Sequence, residues 1–199
     1  MVLAGLATLG ALLGASLLNV GISSDLWTRG PAHAEPSYTP SAAEAHSPSV
    51  TTCFTPAQAC ADLIVRILEK AQSQIRLQAY GFTSSPILTA LVAAKQRGVD
   101  VGVILDKSDE RASSASGADY LARAGIPVFI DYQPAIAHNK VIVVDRHTVI
   151  TGSYNFTAAA ERKNTENVTI IASSEAASRF LSNWESRRAV SRLFANSDR

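Results

Sequence analysis

Two β-branched runs constrain this chain more than any other feature. Lys140-Val141-Ile142-Val143-Val144 and Thr148-Val149-Ile150-Thr151 are separated only by Asp145-Arg146-His147. Runs of this kind around a short polar break predict a β-hairpin. Strand side chains alternate between faces, so His138 and Lys140 project to one side, with Ile142 and Val144 behind them. Asp145 follows His138 by an odd number of residues and falls on the opposite face. Ser153 and Asn155 are again two apart, at the end of the returning strand. The His-Lys and Ser-Asn pairs therefore converge, and Asp145 is expected to support or orient rather than touch a substrate.

Written out, the pattern is H-x-K-(x)4-D-(x)6-G-S-x-N, from His138 to Asn155. An isolated histidine two residues from a lysine is ordinarily the polar edge of a sheet. The full set on a hairpin points instead to attack on a phosphate diester. A neutral imidazole can displace an alkoxide from phosphorus as a covalent phosphohistidine, which divides one hard displacement into two easier ones. Lys140, Ser153, Asn155 and nearby backbone N–H groups would stabilise the charge on the nonbridging oxygens. The leaving oxygen still needs a proton and the second step a base, and a further histidine suits both tasks.

The segment His138–Asn155 resembles the signature of the phospholipase D superfamily. Ala79-Tyr80-Gly81-Phe82-Thr83-Ser84, Arg97-Gly98-Val99-Asp100-Val101, Ala124-Gly125-Ile126-Pro127-Val128 and Thr165-Glu166-Asn167 extend the resemblance to its small, single-motif bacterial endonuclease branch. The similarity runs from about Thr52 to about Trp184. It implies His138 as the nucleophile and catalytic parts for Lys140 and Glu166, and Asp145 is counted with this catalytic set in its supporting or orienting role. Lys140, Ser153 and Asn155 are implied to bind the phosphate, and Glu166 to orient the histidine. Glu166, Val168 and Ile170 alternate with Asn167, Thr169 and Ile171, so Glu166 opens a strand able to lie beside the hairpin.

The superfamily's two-motif members use one histidine as nucleophile and the other as acid. This chain has four histidines, His33, His46, His138 and His147, and a single H-x-K. His33 and His46 fall in segments expected to be removed or disordered. Either His147 serves as the acid, or a second copy of the chain supplies its own His138 across a two-fold axis, as an isologous contact allows. The single-motif resemblance implies the homodimer with a composite site.

Residues 2–18 carry no charge and are rich in Leu, Ala and Gly, and Ala32-His33-Ala34 is an A-x-A pattern. Residues 1–34 therefore read as a secretory signal. No cation precedes the apolar run and the run is long for a signal core, so a membrane anchor is the alternative. Residues 35–51 read as a Pro- and Ser-containing disordered leader, and 52–199 as the phosphodiesterase domain. The two cysteines, Cys53 and Cys60, are expected to form a small disulfide in a periplasmic or secreted protein. Thr55-Pro56-Ala57-Gln58 resembles a helix capping box with proline at the first helical position, which would put Cys60 in the second helical turn.

The remainder alternates. A helix carries Leu63, Ile64, Ile67, Leu68 and Ala71; a strand follows through Ile75, Leu77 and Ala79. Ser85-Pro86 opens a second helix that Gly98 closes. Val101–Leu105 is a buried strand, residues 107–116 a polar loop, then a short helix ends at Gly125 before a strand at Val128–Ile130. A final helix starts near Ser174 and aligns Phe180, Leu181 and Trp184. Such alternation predicts an α/β fold, an α-β-α sandwich with a central mixed sheet.

A net charge of +1 excludes the polycationic character that drives nonspecific nucleic-acid binding. Local candidates for contact are Arg162-Lys163 and Arg187, Arg188 and Arg192. No tight carboxylate cluster of the two-metal kind is present, so no metal or other cofactor is expected. The reading is a metal-independent endonuclease acting on nucleic acid. The alternatives are a phospholipase D-type lipid hydrolase or transferase, and a noncatalytic nucleic-acid-binding module.

Overall fold

The computed structural model describes residues 48–111 and 117–195. The expected export segment, His33, His46 and most of the expected leader lie outside the described residues. Among the described residues, eight strands form one mixed sheet. In chain order they are β1 (Ser49–Thr55), β2 (Gln74–Ala79), β3 (Asp100–Asp106), β4 (Val128–Asp131), β5 (Lys140–Val144), β6 (Thr148–Gly152), β7 (Glu166–Ala172) and β8 (Arg192–Leu193). The helices are α1 (Cys60–Glu69), α2 (Ser85–Gln96), α3 (Lys107–Arg111), α4 (Gly117–Arg123), α5 (Ala158–Arg162) and α6 (Ser174–Val190).

Across the sheet the order is β1-β7-β6-β5-β2-β3-β4-β8. Only β2-β3 and β3-β4 are parallel, each joined through helices as parallel neighbours require. Alternation assigns the two faces. Ile75, Leu77, Val101, Val103, Leu105, Ile142 and Ile150 join Ile64 and Leu68 of α1 and Leu91 of α2 in the main core. Val141, Val143 and Val149 point the other way, onto Ala177, Phe180 and Leu181 of α6. The α-β-α sandwich with a mixed sheet is thus present, with α6 alone forming one of its outer layers among the described elements.

Three details differ from the sequence-based expectation. First, β1 begins at Ser49, inside the expected leader, and pairs along its length with β7. Second, Thr55-Pro56-Ala57-Gln58 is not a helix start: Thr55 ends β1, the Thr55–Pro56 peptide is cis, and α1 begins at Cys60. The Gln58 side chain still accepts a backbone N–H, that of Phe54 at 2.8 Å, so the capping chemistry closes a turn. Third, Lys107–Arg111 of the expected loop is the short helix α3. Cys53 in β1 and Cys60 at the head of α1 form the disulfide, with Cα atoms 5.7 Å apart. No described helix is long and apolar enough to cross a membrane.

Candidate active site

The β5-β6 hairpin pairs Val141 with Thr151 and Val144 with Thr148. His138 lies just ahead of β5, exposed, and Lys140 is the first residue of the strand, buried at 7 % exposure. Both meet Tyr80 at the end of the neighbouring β2. The His138 and Tyr80 rings stand 4.8 Å apart and tilted, and the Lys140 ammonium lies 5.5 Å from the centre of the same ring. The expected shared side of His138 and Lys140 is therefore realised around one phenol ring. Burial pushes the Lys140 ammonium below its usual pKa, and the nearby Glu166 carboxylate acts against that shift. The Lys140 Nζ also donates to the His138 carbonyl at 3.2 Å.

Glu166 opens β7, which pairs antiparallel with β6, so the strand lies beside the hairpin as expected. Its carboxylate accepts from Ser153 Oγ at 2.6 Å and from Asn164 Nδ2 at 2.9 Å. Its N–H donates to Thr55 Oγ1 at 3.2 Å. No hydrogen bond joins Glu166 to His138 within one chain, so the expected orienting contact is not made there. Ser153 Oγ accepts in turn from the Asn167 N–H at 3.1 Å. Asn155 keeps its side-chain oxygen buried without a partner. A parallel bridge between Phe82 and Phe156, with the Phe156 carbonyl accepting from Thr83 and Ser84 at 3.0 and 2.9 Å, ties the Ser153–Asn155 loop to the strand end that carries Tyr80.

Asp145 is elsewhere. It leaves β5 at the hairpin turn with φ 52°, followed by Arg146 at 58°, the left-handed pair that tight hairpin turns favour. Its carboxylate accepts the backbone N–H groups of Gln72, Ser73 and Gln74 at 3.0, 2.8 and 3.0 Å, and the Ser73 hydroxyl at 2.9 Å. Burial alone would raise this carboxyl, but the bonds from Gln74, Ser73 and Gln72 hold it below the usual carboxylate value. The supporting role expected of Asp145 therefore arises from distance along the strand rather than from the opposite face. His147 sits in the same turn, its Nδ1 3.0 Å from Ser174 Oγ. With a strand rise of about 3.3 Å per residue, β5 keeps His147 on the order of 15 Å from His138.

The remaining expectations divide. Arg162 and Lys163 are exposed on the turn leading to Glu166. Arg187 is committed to a two-pronged bond with Asp131, 2.8 Å at each contact, Arg188 pairs with Glu185, and Arg192 lies over the Tyr132 ring. Sequence reasoning gave no separate role to Tyr80, nor to Asn164, whose amide meets Glu166. Tyr80 comes from a segment distant in sequence and was signalled only by its place at the end of an apolar strand, whereas Asn164 lies two residues before Glu166 and carried no pattern of its own.

A catalytic-type hairpin in the middle of a mixed sheet in an α-β-α sandwich defines a class, and comparison with known proteins gives the family. Residues 64–188 match the family described as cardiolipin synthase, PLD-like domain. The chain belongs to this phospholipase D-like family and is a phosphodiesterase of it. A phospholipase D of Rickettsia typhi is 48 % identical over 141 residues, covering 71 % of this chain and 69 % of that protein. The human mitochondrial cardiolipin hydrolase is 34 % identical over 147 residues, covering 73 % of this chain and 58 % of its own length. Among solved structures, the phospholipase D family member Nuc from Salmonella typhimurium superposes with a TM-score of 0.71 at 40 % identity, over 75 % of this chain and 99 % of that one. NucT from Helicobacter pylori shares the fold at TM-score 0.69 and 20 % identity, over 74 % and 99 % of the two chains.

Proposed function

We propose that the chain is an endonuclease that hydrolyses nucleic-acid phosphodiesters through a phosphohistidine on His138. The observation that carries this reading is the open rim of the site. His138 is exposed, and the exposed cations Arg162 and Lys163 flank the strand that presents Glu166, so an extended polyanion can lie across the histidine. The resemblance to the single-motif endonuclease branch supports the same substrate class.

In this mechanism the neutral imidazole forms an N–P bond as the P–O bond to the leaving alkoxide breaks. Lys140, Ser153 and the Asn155 amide stabilise the nonbridging oxygens. Glu166 holds Ser153 in place and balances the Lys140 charge. A general acid protonates the leaving oxygen and then, as base, takes a proton from the water that cleaves the N–P bond and frees His138. His147 is too far to serve, so the acid is assigned to His138 of the partner subunit in a two-fold homodimer. The disulfide fits the oxidising conditions of the periplasm or of secretion.

A lipid diester is the second reading, favoured by the phospholipase and cardiolipin-hydrolase names of the relatives. The oxidised protein should be incubated with plasmid DNA, RNA and phosphatidylcholine or cardiolipin vesicles, with and without EDTA. Nicking of nucleic acid in EDTA is the expected result. Headgroup release without nucleic-acid cleavage would transfer the assignment to lipid, and activity lost to chelator but restored by magnesium would refute the phosphohistidine route. Binding of nucleic acid with no cleavage of any substrate would leave a noncatalytic module.

A further inference from the structure

The segment from Tyr132 to Asn139, which delivers His138 to the site, has no regular secondary structure. Its position therefore depends on a few bonds. Gln133 N–H donates to Asp131 Oδ1 at 3.1 Å and the Lys107 ammonium to the Pro134 carbonyl at 3.0 Å. On the far side of His138, the Asn139 carbonyl accepts from Tyr80 N–H at 3.0 Å, and the Asn139 amide donates to Gln78 Oε1 at 2.8 Å. Immediately before His138, the Ala137 N–H donates to Asp106 Oδ2 at 2.7 Å.

Asp106 ends β3 with 3 % of its surface exposed, directly across from Asp131 in the ladder. The two buried carboxylates are satisfied differently. Asp131 is matched by the Arg187 guanidinium, whereas Asp106 has no salt bridge among the described residues and binds the N–H groups of Ser108, at 2.9 Å, and Ala137. A buried carboxylate is costly unless such bonds compensate it. Burial raises the Asp106 carboxyl, yet the bonds from Ala137 and Ser108 bring it below its usual value. The carboxylate therefore stays ionised and makes charge-assisted bonds, roughly twice as strong as neutral ones.

We propose that Asp106 is a positioning residue for the reaction, holding the Ala137 peptide so that the His138 imidazole meets phosphorus in line. The inference rests on the reading of His138 as nucleophile. It assigns Asp106 no contact with substrate and no proton transfer. A misplacement of about 1 Å in a reacting group can cost on the order of 100-fold in rate, so the effect belongs in kcat.

The test compares wild type, Asp106→Asn, Asp106→Ala and His138→Ala with bis(p-nitrophenyl) phosphate, a diester that is neither lipid nor nucleic acid. Asp106→Ala is expected to lose about 100-fold in kcat and Asp106→Asn about 10-fold, since the amide oxygen still accepts one N–H. KM should stay within about two-fold and the pH optimum should not move, because Asp106 does not exchange protons with the substrate. Thermal denaturation establishes the folded fraction at assay temperature, and if Asp106→Ala does not fold, Asp106→Asn decides alone. A folded Asp106→Asn with wild-type kcat, beside an inactive His138→Ala, would overturn the proposal. Full activity in His138→Ala would instead defeat the nucleophile reading itself.

Discussion

Asp145 shows how much one carboxylate can hold when it meets backbone rather than a cation. It gathers three consecutive N–H groups from the segment entering β2, so the hairpin turn and the start of β2 are fastened by one residue. Losing a hydrogen bond to a charged acceptor costs about 1.5–3 kcal/mol, and Asp145→Asn is expected to destabilise the fold by roughly that amount. The depressed pKa of Asp145 sets the pH window. Its contribution is complete above the unfolded value of about 4 and disappears as pH falls through the lower folded value. Chemical denaturation of wild type and Asp145→Asn at pH 7 and pH 2.5 should show a gap that narrows in acid. Asp109 is the opposite case. Burial at 6 % exposure, offset by the Phe82 N–H and reinforced by the Asp106 charge, raises its carboxyl from 3.8 to about 6. A raised folded pKa means that stability falls as pH climbs from about 4 to 6 and stays reduced above. Asp109→Asn is therefore expected to raise the thermal midpoint at pH 7 and to leave it nearly unchanged at pH 3.5; a lowered midpoint at pH 7 would contradict this account.

At the scale of elements, β6 and β7 meet closely where the site is built. Gly152 has φ 145°, and a Cβ there would stand 2.2 Å from the Asn167 carbonyl oxygen. No flexible side-chain end can yield, because the obstacle is backbone. Gly152→Ala should therefore cost more than about 1 kcal/mol and should displace Ser153 from Glu166, so thermal stability and diester turnover should fall together. The hairpin itself was legible because its signal is local: two β-branched runs, a break containing an Asp tolerant of left-handed φ, and side-chain parity that put His138 and Lys140 together. Strand β1 was not legible, since its residues 49–52 are exposed and its pairing partner begins more than a hundred residues later. The Thr55–Gln58 segment misled for a physical reason: the same side-chain-to-backbone bond that caps a helix also closes a turn. Within the site, parity showed which residues share a side. The supports from Tyr80 and Asp106 were hidden because strands β2 and β3 deliver them through long-range pairing.

For the whole molecule the decisive fact is that one chain presents one H-x-K. The other described histidine, His147, is anchored at the far end of β5 by its contact with Ser174. The proposed two-step displacement needs a nucleophile and a second proton-transfer group at the same phosphorus, and the proposed isologous dimer would bring His138 to its own copy without any further residue. The consequence is countable. If wild-type and His138→Ala chains are dissociated, mixed in equal amounts and reassociated, only about one quarter of the dimers carry both histidines. Total activity should then be about half that of the same wild-type chains alone, and isolated heterodimers should be inactive. Two independent sites would give heterodimers half-active, and a site complete within each chain would leave total activity unchanged by mixing. Sedimentation must also show a dimer at assay concentration; a monomer with full specific activity would place the missing acid within the chain and remove the two-fold axis from the mechanism.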